Sequence, residues 1–287
     1  MEATQQAKAE DFRARQRRDW DEASQGWRDW HELIDRAAGD VSEHMVGMAR
    51  VQPGDRVLDV AAGYGEPALT AAKVVGPEGE VVATDFSAGM LAYGRERASA
   101  AGLANVRFVE SDASSLDFPE ASFDAALSRW GIIFEPDGEG AATRIRGFLK
   151  PGAKMAISSW GPPERVPFLS VPMGTVMRVL DVPPPPPGTP GPLSRPTPEA
   201  IGGLLEGGGF SDVEVDELEV SFEWDSAEEL TRFVQEIAPP IYNLVNPQPP
   251  EVQRDCWQAI TDAVRAHASD DGRVRLSNLV LVAAGRA

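Results

Sequence analysis

Three aspartates are spaced so that they could serve one crevice. Asp59 lies in the apolar run Arg56-Val-Leu-Asp-Val-Ala61, Asp85 closes Glu80-Val-Val-Ala-Thr-Asp85, and Asp112 follows Val106-Arg-Phe-Val-Glu110. The first run leads into Ala61-Ala-Gly63-Tyr-Gly65-Glu-Pro67-Ala68. Glycines there let the backbone turn sharply and let a ligand lie against bare main chain. A helix starting after the turn would offer unpaired N–H groups and the positive end of its dipole. Carboxylates at the ends of adjacent parallel strands can accept hydrogen bonds from amines and hydroxyls. In open α/β sheets that crevice is where ligands bind.

The spacing Gly63-x-Gly65-x-x-Ala68 also fits a dinucleotide fingerprint. Three features separate the two readings. Asp59, four residues before Gly63, would repel a pyrophosphate and would suit an ammonium group. Asp85, twenty residues after Gly65, can accept both hydroxyls of a ribose, which either cofactor offers. Asp112, with Ala113 beside it, can accept from an adenine amino group. An amine, a ribose and an adenine without a phosphate describe S-adenosylmethionine, whose sulfonium is a further positive charge.

The elements that must position these residues follow from the pattern. Short apolar runs at 56–61, 80–85, 106–110, 123–128 and 154–160 alternate with helical segments over 66–75, 87–101 and 141–149. That alternation predicts an α/β, Rossmann-like parallel sheet with helices on both faces. Residues 1–50 read as an N-terminal helical lid, with Asp40-Val-Ser-Glu43 as a capping box opening a short second helix. Residues 51–160 form the core. Residues 161–210 read as a proline-rich insertion: 162–198 hold 13 of the chain's 24 prolines, and Pro183 through Pro187 should form polyproline II. Pro167 to Leu180 is apolar enough to pack as a lid segment. Thr197 and Ser226 are set to cap helices, and 213–222 and 276–283 read as strands. Residues 211–287 would complete the sheet and carry a helical cap.

With these residues in view, the chain resembles the class I S-adenosylmethionine-dependent methyltransferases, most closely the ubiquinone/menaquinone-methyltransferase-like group. The matching stretches are Val57 to Gly65, Val82-Ala-Thr-Asp-Phe-Ser87 with Met90, Asn105 to Ala113, Phe118-Pro119 through Phe123-Asp124, and Leu149-Lys-Pro-Gly152. The resemblance implies a seven-stranded sheet with an antiparallel last strand. It implies that Asp59, Ala61, Gly63 and Gly65 hold the methionine moiety; Tyr64, a departure from the family pattern, would shield the cofactor. Asp85 would hold the ribose, Phe86 and Met90 would lie against the adenine, and Asp112 and Ala113 would read its edge. Ser128 and Arg129 would sit beside the cofactor, Arg129 as partner for its carboxylate. Ala61 and Ala62 depart from members with a third glycine or a cysteine there, and Tyr64 and Pro67 are unusual.

Composition narrows the partners. Of 287 residues, 27 are basic and 45 acidic, a formal charge of −18. That argues against nucleic acid and against an anionic membrane surface. Eleven acids against the single Arg232 fall within 206–236, a stretch whose default reading is a solvated face. The lone Cys256 makes no internal disulfide and rules out a cysteine-based metal site, and no metal is expected. The charged N-terminal stretch is no secretory signal, so the cytoplasm is the simplest address.

His31, in Trp27-Arg-Asp-Trp30-His31, is the best candidate base; His44 and His267 read as structural. Trp20, Trp27 and Trp30 fall at helical spacing, while Trp130 and Trp160 follow the fourth and fifth strands. A tryptophan stripe is often core packing, but lid helices over a sheet edge also line apolar pockets. These five are the candidate substrate contacts, and they point to a small, hydrophobic or aromatic acceptor. In-line methyl transfer to O, C or N is the expected reaction. A non-catalytic S-adenosylmethionine-binding protein and an NAD-dependent oxidoreductase are the alternatives. Asp59 and the lack of a hydride-site signature weigh against the oxidoreductase.

Overall fold

A computed structural model describes residues 2–186 and 188–287, with the backbone alone for 2–10. Pro187, the last of the proline run, lies outside the described residues. In chain order the elements are α1 (Glu2–Asp29), α2 (His31–Met48), β1 (Arg56–Val60), α3 (Ala68–Val75), β2 (Glu80–Asp85), α4 (Ala88–Ala100), β3 (Val106–Glu110), β4 (Phe123–Arg129), α5 (Gly138–Phe148), β5 (Leu149–Trp160), α6 (Pro167–Val179), α7 (Pro198–Gly207), β6 (Ser211–Trp224), α8 (Ala227–Ile237), α9 (Pro239–Val245), α10 (Pro250–Arg265) and β7 (Val274–Arg286). Short 3₁₀ turns follow β3, β4 and β5.

Among the described residues the strands form one seven-stranded sheet, ordered β3-β2-β1-β4-β5-β7-β6. β1 to β5 run parallel, while β7 runs antiparallel to both neighbours. The chain leaves β1 for β2 on one side and returns to β4 on the other. The crevice at this reversal, at the carboxyl ends of β1 and β4, is the switch point where such sheets bind ligands.

Strand alternation sorts the core into two layers. Val57, Val81, Leu127, Ala156 and Val282 face α2 and α3. Leu58, Val82, Ala126, Ile157 and Leu281 face α5 and α7. The α7 helix carries Ile201, Leu204 and Leu205 into this second layer, so it belongs to the core and not to an inserted lid. Above the carboxyl ends of the strands sits a cap drawn from three parts of the chain: α1, α6, and α8 to α10. The α6 helix begins at Pro167 and packs against α10, as its apolar composition predicted. Pro183–Pro186 are exposed and belong to no helix or strand.

Local chemistry accounts for most helix starts. The side chains of Ser87, Thr197 and Ser226 accept from the N–H of Met90, Ala200 and Glu229, as their positions predicted. The expected capping box at Asp40–Glu43 is different: α2 runs through it unbroken. Val41, Ser42 and Met45 continue the buried stripe begun by Leu33, Ile34 and Ala38. Ser42 is fully buried and its hydroxyl serves Arg129 instead of a helix end.

The acidic stretch forms the sheet edge. On β6, Asp216 pairs with His44, Glu217 with Arg165 and Glu223 with Arg273. Much of this charge is matched within the chain, and charged side chains on an edge strand discourage pairing with another chain. Among the described residues no helix is long and apolar enough to cross a membrane.

Candidate functional site

One cavity lies over the switch point. Its volume is about 220 Å³, far beyond the roughly 10–15 Å³ that holds one water. One wall is the glycine loop and the ends of β2 to β4: Ala61, Ala62, Gly63, Tyr64, Asp85, Phe86, Met90, Asp112, Ala113, Arg129 and Trp130. The facing wall is the cap, with Trp20 and Trp27 of α1, Phe168 and Met173 of α6, and Phe233 to Ile237 of α8.

The loop conformation follows from its residues. Ala61, Gly63 and Gly65 all have positive φ, at 57, 53 and 110°. Alanine at 61 therefore holds a left-handed conformation that costs a residue with a Cβ about 1–2 kcal/mol, which accounts for glycine serving at such a position. Asp85 fixes the turn. One of its oxygens accepts from Gly63 N at 2.9 Å and the other from Ser87 N at 2.8 Å. Burial pushes its pKa up to about 6, against the pull of those backbone N–H groups. Its carboxylate thus joins the glycine loop to the end of β2 and stands on the cavity wall.

Asp112 accepts from Ser114 N and Oγ and caps the turn after β3. Beside it lies Glu135, whose pKa burial raises to about 7, with a further upward push from Asp112. Arg13 of α1 approaches Glu135 at 3.4 Å and Asp112 at 3.9 Å. The lid helix therefore sets a guanidinium against the two acids at this end of the cavity. It is also held at Asp21, which accepts from Ser87 Oγ at 2.5 Å and from Gly89 N at 3.2 Å. Farther along, Trp27 Nε1 donates to the Ile237 carbonyl and the Tyr242 hydroxyl to the Asp19 carbonyl.

Five expected residues lie elsewhere. Asp59 is fully buried but absent from the cavity wall. Its place in β1 gives it the same side as Val57, toward α2 and α3 and under the first turn of α3. Among the described residues neither of its carboxylate oxygens has a hydrogen-bond partner, although the Ala68 N–H faces it. Burial drives its pKa well above the usual carboxylate range. Gly65 packs against Leu69 and Gly94 behind the wall. Ser128 accepts from Ile132 N and holds the turn after β4. Trp30 is core, edge-on to Phe233, with Nε1 donating to Glu236. His31 is directed away from the cavity: Nδ1 meets the Arg28 carbonyl and the ring lies against Tyr93. Trp30 has turned the chain into α2 by that point, so His31 occupies the outer face. His31→Ala should keep kcat/KM within about twofold of the parent in a methyl-transfer assay; a hundredfold loss would restore it as a base.

Trp20, Trp27, Trp130 and Trp160 do line the cavity. Trp130 and Trp160 stack with centroids 4.4 Å apart and planes 5° apart. Trp130 has φ 52°, and its N–H donates to Ser158 Oγ. Strained backbone of this kind persists where the surroundings over-determine it. The sequence reading missed Gln16, Ile34, Glu66 and Glu135, which also line the cavity. Gln16 was within reach, four residues before Trp20 on the same helical face.

The site divides chemically. Acids and backbone groups gather at the β2 and β3 ends, while the half beneath α6 and α8 is aromatic and aliphatic. Comparison with known proteins covers one side of the cavity. Residues 57–152 match the methyltransferase-domain family. These residues contain the glycine loop, Asp85, Asp112, Arg129 and Trp130. The ubiquinone/menaquinone biosynthesis C-methyltransferase UbiE of Ectopseudomonas mendocina is 38% identical over 119 residues, covering 41% of this chain and 46% of that protein. The demethylmenaquinone methyltransferase of Geobacillus kaustophilus is 38% identical over 110 residues, covering 38% of this chain and 47% of that one. The chain thus spans about half the length of the curated relatives it matches. Among solved structures, the [4+2]-cyclase SpnF shares the fold over 92% of this chain and 95% of its own, with TM-score 0.54 and 19% identity. The likeness to the methyltransferases lies in the glycine-loop wall, and the cap lies outside the matched family region.

Proposed function

We propose that the chain is an S-adenosylmethionine-dependent methyltransferase acting on a small, hydrophobic, aromatic acceptor. The observation that carries this reading is the shared cavity, in which the glycine-loop wall with its carboxylates opens directly onto an aromatic chamber. The residues suit the cofactor. Asp85 stands where a ribose diol would bond, Phe86 and Met90 offer apolar faces for an adenine, and Asp112 offers an acceptor at its edge. Of the alternatives, an NAD-dependent oxidoreductase would set a pyrophosphate against Asp85 and Asp112 on this same wall.

The bound cofactor supplies a methyl group activated by its sulfonium. The protein's share is alignment and the exclusion of water. Among the described residues, the half of the cavity under α6 and α8 carries no titratable side chain. Trp27, Trp160, Phe168 and Phe222 can fix the plane of an aromatic ring there, and alignment alone contributes up to roughly 7–11 kcal/mol. An acceptor in such a chamber must be nucleophilic without help from a neighbouring base. Electron-rich hydroquinones and phenols have that property, and the quinone C-methyltransferases among the relatives favour the same choice.

The test is transfer of a labelled methyl group from S-adenosylmethionine to a panel of alkyl hydroquinones, naphthols and arylamines. Incorporation into an apolar aromatic acceptor is the expected result. Cofactor binding with no transfer to any member of the panel would favour the non-catalytic reading.

A further inference from the structure

Asp85 and Asp112, the two aspartates on the strand-end wall of the cavity, are each tied to α1, and the two ties differ. At Asp112 the tie is between opposite charges, with Arg13 set between Asp112 and Glu135. At Asp85 it joins like charges. Ser87 donates its backbone N–H to Asp85 Oδ1 at 2.8 Å and its hydroxyl to Asp21 Oδ1 at 2.5 Å. Asp21 Oδ1 also accepts from Gly89 N at 3.2 Å, in the first turn of α4. One serine thus carries a carboxylate of the wall on its backbone and a carboxylate of the lid on its side chain. The negative charge of Asp21 adds to the upward push on the Asp85 carboxyl.

The helices meet closely enough to enforce this. α1 lies along α4, with Arg28 paired with Glu96 at 2.8 Å and its guanidinium 5.1 Å from the centre of the Tyr93 ring. Position 89 is a glycine at the point of approach; a Cβ there would stand 2.7 Å from Ser24 Oγ and 3.1 Å from Ser24 Cβ. Seating α1 therefore brings the Asp21 charge toward Asp85. Ligand hydroxyls donating to Asp85 spread its charge and relieve that repulsion, so a ligand at Asp85 favours the seated helix. Linkage makes the effect reciprocal, and the seated helix favours the ligand by the same factor. The same helix supplies Gln16, Trp20 and Trp27 to the cavity.

We propose that Asp21 is a positioning residue that makes the seating of α1, and with it the completion of the acceptor chamber, depend on a ligand at Asp85. This rests on the cofactor reading above and extends it to the order of binding: the cofactor comes first, and Trp20 and Trp27 then complete the chamber for the acceptor. Asp21 does not itself line the cavity, so it acts through Ser87.

Limited trypsin proteolysis reads the seating of α1, because Arg15, Arg17 and Arg18 are exposed on it and cleavage follows the population in which the helix has opened. The quantity measured is the ratio of cleavage rates without and with saturating S-adenosylhomocysteine. The parent should give a ratio of about 10. Asp21→Ala should bring it within about twofold of unity, and so should Asp21→Asn, which keeps an oxygen to accept from Ser87 and Gly89 but carries no charge. By the same linkage, calorimetry should show the affinity of Asp21→Ala for S-adenosylhomocysteine reduced about tenfold. Arg28→Ala removes an exposed contact between the same two helices; it should raise both rates and keep the ratio. A ratio retained in both Asp21 variants would mean that direct contact of the ligand with Gln16 or Trp20 holds the helix. A ratio of unity in the parent would mean that α1 does not respond to the ligand, and an equal loss in Arg28→Ala would reduce Asp21 to general packing. Each of these overturns the proposal. Absence of S-adenosylhomocysteine binding by the parent in calorimetry is a separate result: it removes the cofactor reading and takes the proposal with it.

Discussion

Asp85→Ala should abolish measurable cofactor binding at ordinary concentrations, with affinity for S-adenosylhomocysteine falling 100-fold or more. The carboxylate has two tasks. It ties Gly63 to Ser87 through one bond at each oxygen, and it stands on the cavity wall where a ribose would bond. Hydrogen bonds to a charged group contribute about 1.5–3 kcal/mol each, so losing two ligand bonds accounts for a loss on that scale before any loosening of the loop. The pH dependence has a definite sign. Burial raises the pKa of Asp85 to about 6 in the folded protein, above the ordinary value of 3.8. The stability of the ligand-free protein therefore declines as pH rises from about 4 through 6. Cofactor affinity should change the other way, rising through about 6 as the carboxylate ionises and then levelling. Titrations at pH 5, 6, 7 and 8 would show both trends. Affinity that is flat across this range, or Asp85→Ala within threefold of the parent, would remove Asp85 from the site.

Gly26→Ala should detach the lid while leaving the sheet folded. A Cβ at 26 would stand 2.2 Å from the Glu236 carbonyl oxygen and 2.7 Å from its carbon. Those atoms are backbone, so α1 and α8 must move apart. The bond from Trp27 Nε1 to the Ile237 carbonyl and that from Trp30 Nε1 to Glu236 are closest to the displacement. Both Trp20 and Trp27 line the cavity, and misplacement by about 1 Å can reduce catalysis about 100-fold. The expected result is a loss of 30- to 100-fold in kcat/KM, faster proteolytic cleavage within α1, and a far-ultraviolet spectrum close to the parent's. Full activity in Gly26→Ala would mean that α1 does not shape the acceptor chamber.

The core was legible because its signals are local. Alternating apolar runs and helical segments specified the parallel sheet, and the caps at Ser87, Thr197 and Ser226 marked helix starts by their own chemistry. Cavity-lining residues at strand ends, such as Asp85 and Asp112, were readable because strand ends in such a sheet converge. Asp59 shows the limit. Its position along the strand was evident, but strand parity sends it to the Val57 side, behind the wall. His31 was placed over the site by analogy with lid helices, whereas its azimuth on the chain turned it outward. The break between α1 and α2 at Trp30 resets that azimuth, and nothing in the local pattern announces it. The cap was least legible. The α6 helix meets α10 across about eighty residues of chain, and Glu135 meets Arg13 across 122. Such pairings follow from the closed fold and not from spacing.

The most direct test of the account is calorimetric titration of the purified protein with S-adenosylhomocysteine, with NADH as the comparison. Micromolar binding of S-adenosylhomocysteine and none of NADH is the predicted result. Binding of NADH instead, or of neither ligand, would contradict the assignment of this glycine loop and its carboxylates to a phosphate-free adenosyl cofactor.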